Sequence, residues 1–489
     1  LSLKELQNLE SKGIKAFLWD FSGKTIRQII GFITSIILTR TLEPKDFGLM
    51  ALVIVIIGIT NIFNDFGLSS ALIQKRKTLQ IHYSSVFYFN ITIGLLLTSV
   101  TFLSANLIGL FYANETLTPI TKAMSLLFII NAFGNVSTIR LRKELSFSAL
   151  TKSNLLATLL SGSLGVTLAL HNVGVWSLVA QALSMAFFYN IIILKVAKWT
   201  PILNFSWKAL TQLWGFGFRM FLSAIIASIF ERIDILAIGK IVTSATLGYF
   251  ERAKSLNAML VQYSSGSLIE ILFPALSKIQ NDLPKFQGII LKMIGITSFV
   301  SFFFTGSLFL ISDEIIIMLL SEKWSPSIEF FKLFVITGYS YPISAILVSA
   351  LSCRGNSRSF LRLEIYKAAI LSINIATLYL SGVQAYLYCM IINSLSMLLL
   401  NILFTSNEIR VPYMSIAKPI IIQMLISIIS VAFAIFSSRI ITENLTHFFI
   451  IKLLIFTLLY LSANSSIKTD AYIYLKKLLF MLKIHENEK

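Results

Sequence analysis

Apolar residues in this chain come in runs of about twenty, separated by short polar or charged stretches. A helix of about twenty residues crosses the ~30 Å hydrocarbon core of a bilayer. The period-two alternation of a barrel strand is absent, and inside lipid a backbone must satisfy its own hydrogen bonds, so these runs predict membrane-spanning helices. The pattern places them near 16–41, 46–71, 84–109, 118–138, 149–170, 173–194, 213–239, 245–270, 286–311, 328–352, 360–380, 384–404, 416–437 and 446–464.

Composition points the same way. Of 489 residues, 56% are hydrophobic and 13% charged, about half the charged share of a soluble domain. The net charge of +18 does not imply a nucleic-acid partner, because the basic residues sit in short loops between apolar runs, as topology determinants do. Most of the 41 Lys and Arg fall on one side: Lys4, Lys12 and Lys15; Lys75, Arg76 and Lys77; Arg140, Arg142, Lys143 and Lys152; and so on to the tail. The other side carries only Arg40, Lys45, Lys240, Lys323 and Arg439. This asymmetry predicts that both termini lie in the cytoplasm. Residues 1–15 are polar and amphipathic and do not read as a cleavable signal peptide, although position 1 is Leu. Cys353 and Cys389 are the only cysteines, too few for a disulfide framework or a zinc pattern.

The chain also resembles itself. Leu38-Thr-Arg40-Thr-Leu-Glu-Pro-Lys-Asp-Phe-Gly48-Leu aligns with Ile238-Gly-Lys240-Ile-Val-Thr-Ser-Ala-Thr-Leu-Gly248-Tyr at an offset of 200. Each stretch is the outer hairpin between the first two spans of a six-span set. Six is even, so the sets keep one orientation and relate by an axis along the membrane normal. The expected fold is therefore an all-α integral membrane protein of about fourteen transmembrane helices, with two six-helix bundles in parallel pseudo-repeat plus two C-terminal helices. Its parts would be a cytoplasmic N-terminal segment (1–15), a first bundle (16–196), a cytoplasmic linker (197–212), a second bundle (213–406), two further helices (414–464) and a basic cytoplasmic tail (465–489). The stretch 470–484 suits either a helix lying on the membrane face or a plain basic tail.

Ionisable groups at span depth are costly and by default face a partner or a wet cavity. In the first span Asp20, Lys24, Arg27, Gly31, Thr34 and Ser35 share one helical face, a polar stripe with two cations near the middle of the span. It reads either as an Asp20–Lys24 ion pair at i, i+4 or as the lining of a cavity, and the pair leaves Arg27 over. In the seventh span Arg219, Ser223 and Asp234 share a looser face, while Glu231 and Arg232 point elsewhere. In the eighth, Arg252 is equally a hairpin partner for Asp234 or Glu231, or a ligand contact. Asp65 and Glu270 sit near span ends, where solvation accounts for them. The four histidines are scattered, and no phosphate loop, metal-ligand spacing or nucleophile elbow occurs, so neither catalysis, a metal nor a cofactor is expected.

Four segments carry a family resemblance: Leu38-Thr-Arg-Thr-Leu-Glu-Pro-Lys-Asp-Phe-Gly-Leu-Met-Ala-Leu52, Phe66-Gly-Leu-Ser-Ser-Ala-Leu-Ile-Gln74, Leu247-Gly-Tyr-Phe-Glu-Arg-Ala253 and Phe273-Pro-Ala-Leu-Ser-Lys-Ile-Gln-Asn-Asp282. With the six-plus-six-plus-two layout, the chain resembles the Wzx-type polysaccharide and O-antigen flippases of the multidrug/oligosaccharidyl-lipid/polysaccharide superfamily, nearest the colanic acid exporter branch. The resemblance implies a non-enzymatic transporter of the bacterial plasma (inner) membrane. Such a protein moves an undecaprenyl-pyrophosphate-linked oligosaccharide to the outer leaflet for O-antigen, capsule or exopolysaccharide synthesis. A cationic cavity alternately open to each side would hold the pyrophosphate, with Lys24, Arg27, Arg219 and Arg252 as candidates. Asp20 and Asp234 would neutralise these cations or bind a coupling Na+ or H+. Membrane lipids, a polysaccharide polymerase and a chain-length regulator are the expected partners. The rival readings are an ion-coupled drug or metabolite antiporter of the same superfamily, which would favour acidic cavity residues, and a non-transporting envelope scaffold, which would not need the polar stripe. A membrane glycan enzyme would need a large outer loop or an acidic motif that the sequence lacks.

Overall fold

A computed structural model describes residues 3–75, 77–259, 282–354, 357–441 and 445–474, and positions 276, 279 and 476. Among these no strand occurs. The helices are α1 (Leu3–Thr41), α2 (Pro44–Asn61), α3 (Leu68–Gln74), α4 (Gln80–Phe111), α5 (Leu117–Lys143), α6 (Phe147–Leu170), α7 (Trp176–Ala197), α8 (Trp207–Ile241) and α9 (244–259). They continue with α10 (Leu283–Leu310), α11 (Ser312–Leu320), α12 (Ser327–Gly338), α13 (Ser340–Cys353), α14 (Ser357–Ile409), α15 (Tyr413–Ile441) and α16 (Leu445–Ile467). Eleven of the described segments are long and apolar enough to cross a membrane, and the chain is a multi-pass membrane protein. The expected spans at 16–41 and 245–270 are not among the eleven. The first carries its charged stripe, and the second runs past the described residues.

Four expected spans are built differently from a plain helix. The run 46–71 breaks after Asn61 into a single 3-10 turn, a left-handed Gly67 (φ 71°) and then α3. The break is local chemistry: the Asp65 carboxylate accepts from the Ser69 backbone N–H at 3.1 Å and from its hydroxyl at 2.6 Å, capping α3. The run 328–352 is α12 followed by α13, stepping at Tyr339. The runs 360–380 and 384–404 form one 53-residue element whose direction changes at Gly382, with φ 80° and ψ −176°. Only glycine adopts that conformation without strain.

The chain divides into two compact units, Leu1–Glu251 and Arg252–Lys489. In the first, α4 packs on α5, α6 on α7 and α1 on α6, and α8 lies against α2, α3 and α4. A core of Leu68, Leu72, Val86, Val136, Ile139, Leu210 and Leu213 joins α3, α4, α5 and α8. In the second, α10 is central. Phe286, Ile290 and Ile294 pack with Ile343, Leu347, Ile402 and Ile420, while Phe299 packs with Ala434, Phe456 and Tyr460. The outward faces are apolar as well: Leu103, Leu107 and Leu110 on α4 and Ile428, Ile429 and Phe436 on α15 are exposed. In water such a surface would aggregate; facing lipid tails it is satisfied.

Candidate functional site

Helix α1 packs on α6 beside its polar stripe, through Gly23 and Thr34. Gly23 meets Thr151 so closely that a Cβ there would lie 2.0 Å from the threonine methyl, and one at Gly162 would lie 3.0 Å from the Thr34 hydroxyl oxygen. The Thr151 hydroxyl donates to the Trp19 carbonyl at 3.3 Å. Small residues let two backbones approach, which is how helices associate where lipid removes the hydrophobic drive. The opposite face of α1, with Ile26, Ile29, Ile33 and Ile37, is exposed, as a lipid-facing stripe should be.

Below the Gly23 contact the helices part around a cavity of about 350 Å³, lined by Gly23, Lys24, Arg27, Arg142, Phe147, Leu150, Thr151, Asn154 and Tyr189. Three cations thus surround one space with a hydroxyl, an amide and a phenol. Tyr189 is held by a 3.2 Å hydrogen bond with Thr138, and the Asn154 amide donates to the Leu150 carbonyl at 3.2 Å. The cavity lies toward the Lys- and Arg-rich ends of the helices. Lys24 and Arg27 stand 17 and 14 residues before the end of α1 at Thr41, roughly 26 and 21 Å along a 1.5 Å rise. Both distances are shorter than a ~30 Å hydrocarbon core, and both side chains line the cavity. The surplus length of α1, 39 residues in all, extends beyond it.

Arg142 is the residue that sequence reasoning missed. In the sequence it reads as a loop charge like Arg140 and Lys143, but α5 runs to Lys143, and successive side chains on a helix diverge by 100°. Arg140 turns to Glu144 at 2.8 Å. Lys143 donates to the Leu72 carbonyl at 2.7 Å and to the Thr78 hydroxyl at 3.2 Å. Arg142 alone of the three enters the cavity lining.

Among the described residues of this unit, the candidates Arg219 and Asp234 are not in the cavity lining. Arg219 is exposed on α8. Asp234 is half-buried and accepts from the Ile235 N–H at 2.8 Å. Arg252 is half-buried in the second unit, and the side chains of Asp20, Ser223, Glu231 and Glu270 lie outside the described residues. Arg232, set aside in the sequence, packs its guanidinium against Gly58 of α2, and its Nε is buried without a hydrogen-bond partner. No group of three or more His, Cys, Asp or Glu that could hold a metal occurs among the described residues.

At the opposite ends of the helices the two repeat segments meet each other. A Cβ at Gly48 would lie 1.7 Å from the Ser244 carbonyl oxygen, and one at Gly248 would lie 1.9 Å from the Pro44 carbonyl oxygen. Both pairs keep the 200-residue offset, so the contact is reciprocal, as a pseudo-twofold axis between the segments requires. Each segment is a helix start. Asp46 accepts from the Glu43 N–H at 3.2 Å below Pro44, and the Thr243 hydroxyl accepts from the Thr246 N–H at 3.2 Å. Around the crossing, Asn114 donates to Ser244 at 3.2 Å, Tyr112 to the Leu236 carbonyl at 3.4 Å, and Lys240 to the Phe111 carbonyl.

This fold and these motifs have known counterparts. The backbone is similar to the solved lipid II flippase MurJ in its inward closed conformation, with a TM-score of 0.72 and 15% identity over 94% of this chain and all of that one. The lipopolysaccharide biosynthesis protein WzxC of Escherichia coli (strain K12) is 23% identical over 353 residues, 70% of this chain and 71% of that protein. A membrane protein in the cps region of Klebsiella pneumoniae is 25% identical over 409 residues, 79% of this chain and 82% of its own. The model of the polysaccharide biosynthesis protein family matches residues 37–329, more than half of the sequence, and the chain belongs to that family.

Proposed function

We propose that this protein is a flippase that carries an undecaprenyl-pyrophosphate-linked oligosaccharide across the bacterial plasma membrane for surface polysaccharide synthesis. The observation that carries the reading is the cavity where Lys24, Arg27 and Arg142 converge beside Thr151, Asn154 and Tyr189. A flippase must draw a hydrated sugar-pyrophosphate into ~30 Å of hydrocarbon while its lipid tail stays in the membrane. Burying that anion unpaired is prohibitive, and charge-assisted hydrogen bonds to Arg and Lys offset the desolvation. A volume of about 350 Å³ lies at the small end of ligand pockets, enough for the pyrophosphate and its first sugar. Hydroxyl, amide and phenol groups suit the sugar edge.

The cavity sits at the Lys- and Arg-rich ends of the helices, which the charge asymmetry assigns to the cytoplasm together with both termini. It is then a loading site. Arg219, Arg232 and Arg252 serve later in the passage, and Asp20 and Asp234 act as counter-charges or as the site of a coupling Na+ or H+. A basic lining disfavours a carrier of cationic drugs. Charge reversal separates the readings: Arg27→Glu and Arg142→Glu each abolish surface polysaccharide while the protein remains in the membrane fraction, and Arg140→Glu leaves export intact. Normal polysaccharide in the Arg27→Glu and Arg142→Glu cells would remove the cavity from the transport path.

A further inference from the structure

A second cavity, of about 720 Å³, lies in the other unit, among the Lys- and Arg-rich ends of α10, α15 and α16. Its lining is graded. Lys292 and Lys418 stand at the mouth with Ile296 and Ile422 one helical turn deeper on the same helices, and Lys468 joins them just past the end of α16. Lys292 is steered by the Tyr474 ring, whose centroid is 3.4 Å from its Nζ. Gly295 opens the wall, since a Cβ there would meet nothing within 4 Å. Pro419 has no N–H for the Ser415 carbonyl four residues before it, which leaves an acceptor at the rim beside Asp470.

The floor is a buried polar network. Gln423, 2% exposed, donates to Asn464 at 2.6 Å and accepts from Tyr460 at 2.6 Å. Thr469 donates to Asn464 at 2.8 Å. A floor whose polar groups are already paired is rigid and asks nothing of a ligand. What the cavity lacks is an anion for three lysines that face a single aspartate, and an apolar chain for the isoleucines beneath them.

We propose that this cavity is a binding site for an anionic glycerophospholipid of the surrounding leaflet, with a hydroxylated headgroup of the phosphatidylglycerol kind. The phosphodiester sits among Lys292, Lys418 and Lys468. Its headgroup hydroxyls donate to the Ser415 carbonyl and to Asp470, and its acyl chains follow Ile296 and Ile422 into the bilayer. Basic pockets between transmembrane helices recognise lipid headgroups by this combination. The site is separate from the α1–α6 cavity and stands whether or not that cavity carries the transported glycan.

The test uses the full-length protein, purified and titrated with phosphatidylglycerol or phosphatidylcholine, with bound lipid counted by native mass spectrometry. Wild type binds phosphatidylglycerol in preference. Lys418→Ala with Lys468→Ala weakens it about five-fold per lysine removed, and Lys418→Arg with Lys468→Arg restores it. Ile422→Trp, which fills the cavity and keeps every charge, weakens it as well. Equal binding of the two lipids, or a double alanine variant that binds like wild type, overturns the proposal. So does glycerol phosphate displacing the lipid as well as phosphatidylglycerol does, since a soluble anion would then be the ligand. A polyprenyl phosphate that outcompetes phosphatidylglycerol overturns the choice of occupant.

Discussion

At the residue scale, the end of α5 shows how little a charge count reveals. Arg140, Arg142 and Lys143 are near neighbours in sequence and equivalent as topology signals, yet each does a different job. Lys143 holds the turn after α3 by donating to the Leu72 and Lys75 carbonyls and to the Thr78 hydroxyl. Losing such a charged hydrogen bond costs about 1.5–3 kcal/mol. Arg140 makes an exposed i, i+4 pair with Glu144, which contributes only about 0.3–0.5 kcal/mol. Thermal unfolding in detergent should therefore separate them: Lys143→Met lowers the midpoint by several degrees, and Arg140→Ala leaves it unchanged. If the two variants melt together, the anchoring role given to Lys143 is wrong. The stripe on α1 was legible because its period is that of a helix and its members are costly in lipid. Arg142 was not, because the apolar run fades near 138 while the helix continues five residues further. Arg232 escaped for another reason: Gly58, the residue that makes room for it, lies on a different helix.

At the element scale, the glycines decide where helices can touch. In α8, Gly215 has open space around it, whereas a Cβ at Gly217 would lie 3.2 Å from the Phe66 carbonyl oxygen beside the left-handed Gly67. Gly215→Ala should be neutral or slightly stabilising through helix propensity. Gly217→Ala must push α3 away and should cost about 1–3 kcal/mol, the usual range for overpacking. The two glycines are two residues apart on opposite faces of one helix, so equal melting temperatures would count against the close contact. The crossing of Gly48 and Gly248 makes a sharper case. Its backbones touch without side chains between them, held at the edges by a few hydrogen bonds such as Asn114 to Ser244. That contact is close enough to seal and light enough to part. A cysteine pair at Asn114 and Ser244 should form a disulfide in membranes, stop export when oxidised, and release it on reduction. Gly48→Leu should lower the crosslinking yield several-fold by forcing the segments apart. Export that continues with the disulfide fully formed would rule out any opening here. The sequence offered the repeat itself, glycine over glycine at 200 residues. It could not show that the two copies would be each other's partners, because reciprocity is a property of an axis and not of either segment.

At the scale of the whole molecule, the distribution of charge and the distribution of apolar surface are one constraint seen twice. A helix with its leucines exposed all along one side, as α4 has, is stable only with lipid against it, and then its ends must lie at the two interfaces. We propose that the basic loops mark the cytoplasmic interface, since Lys and Arg are retained on that side during insertion. Span identity was legible wherever a run was uniformly apolar. It blurred where breaks were made by capping and by glycine, at Asp65–Gly67 and at Gly382. The orientation can therefore be tested with two exposed positions, Gln80 at the start of α4 and Glu322 in the short turn before α12. In a background with Cys353 and Cys389 replaced, a cysteine at 80 should react with a membrane-impermeant maleimide only after the cells are opened, and one at 322 in intact cells. Reaction of both in intact cells would mean an odd number of crossings has been miscounted between them. The cavity of Lys24, Arg27 and Arg142 would then open on the wrong side to load a lipid-linked glycan made in the cytoplasm.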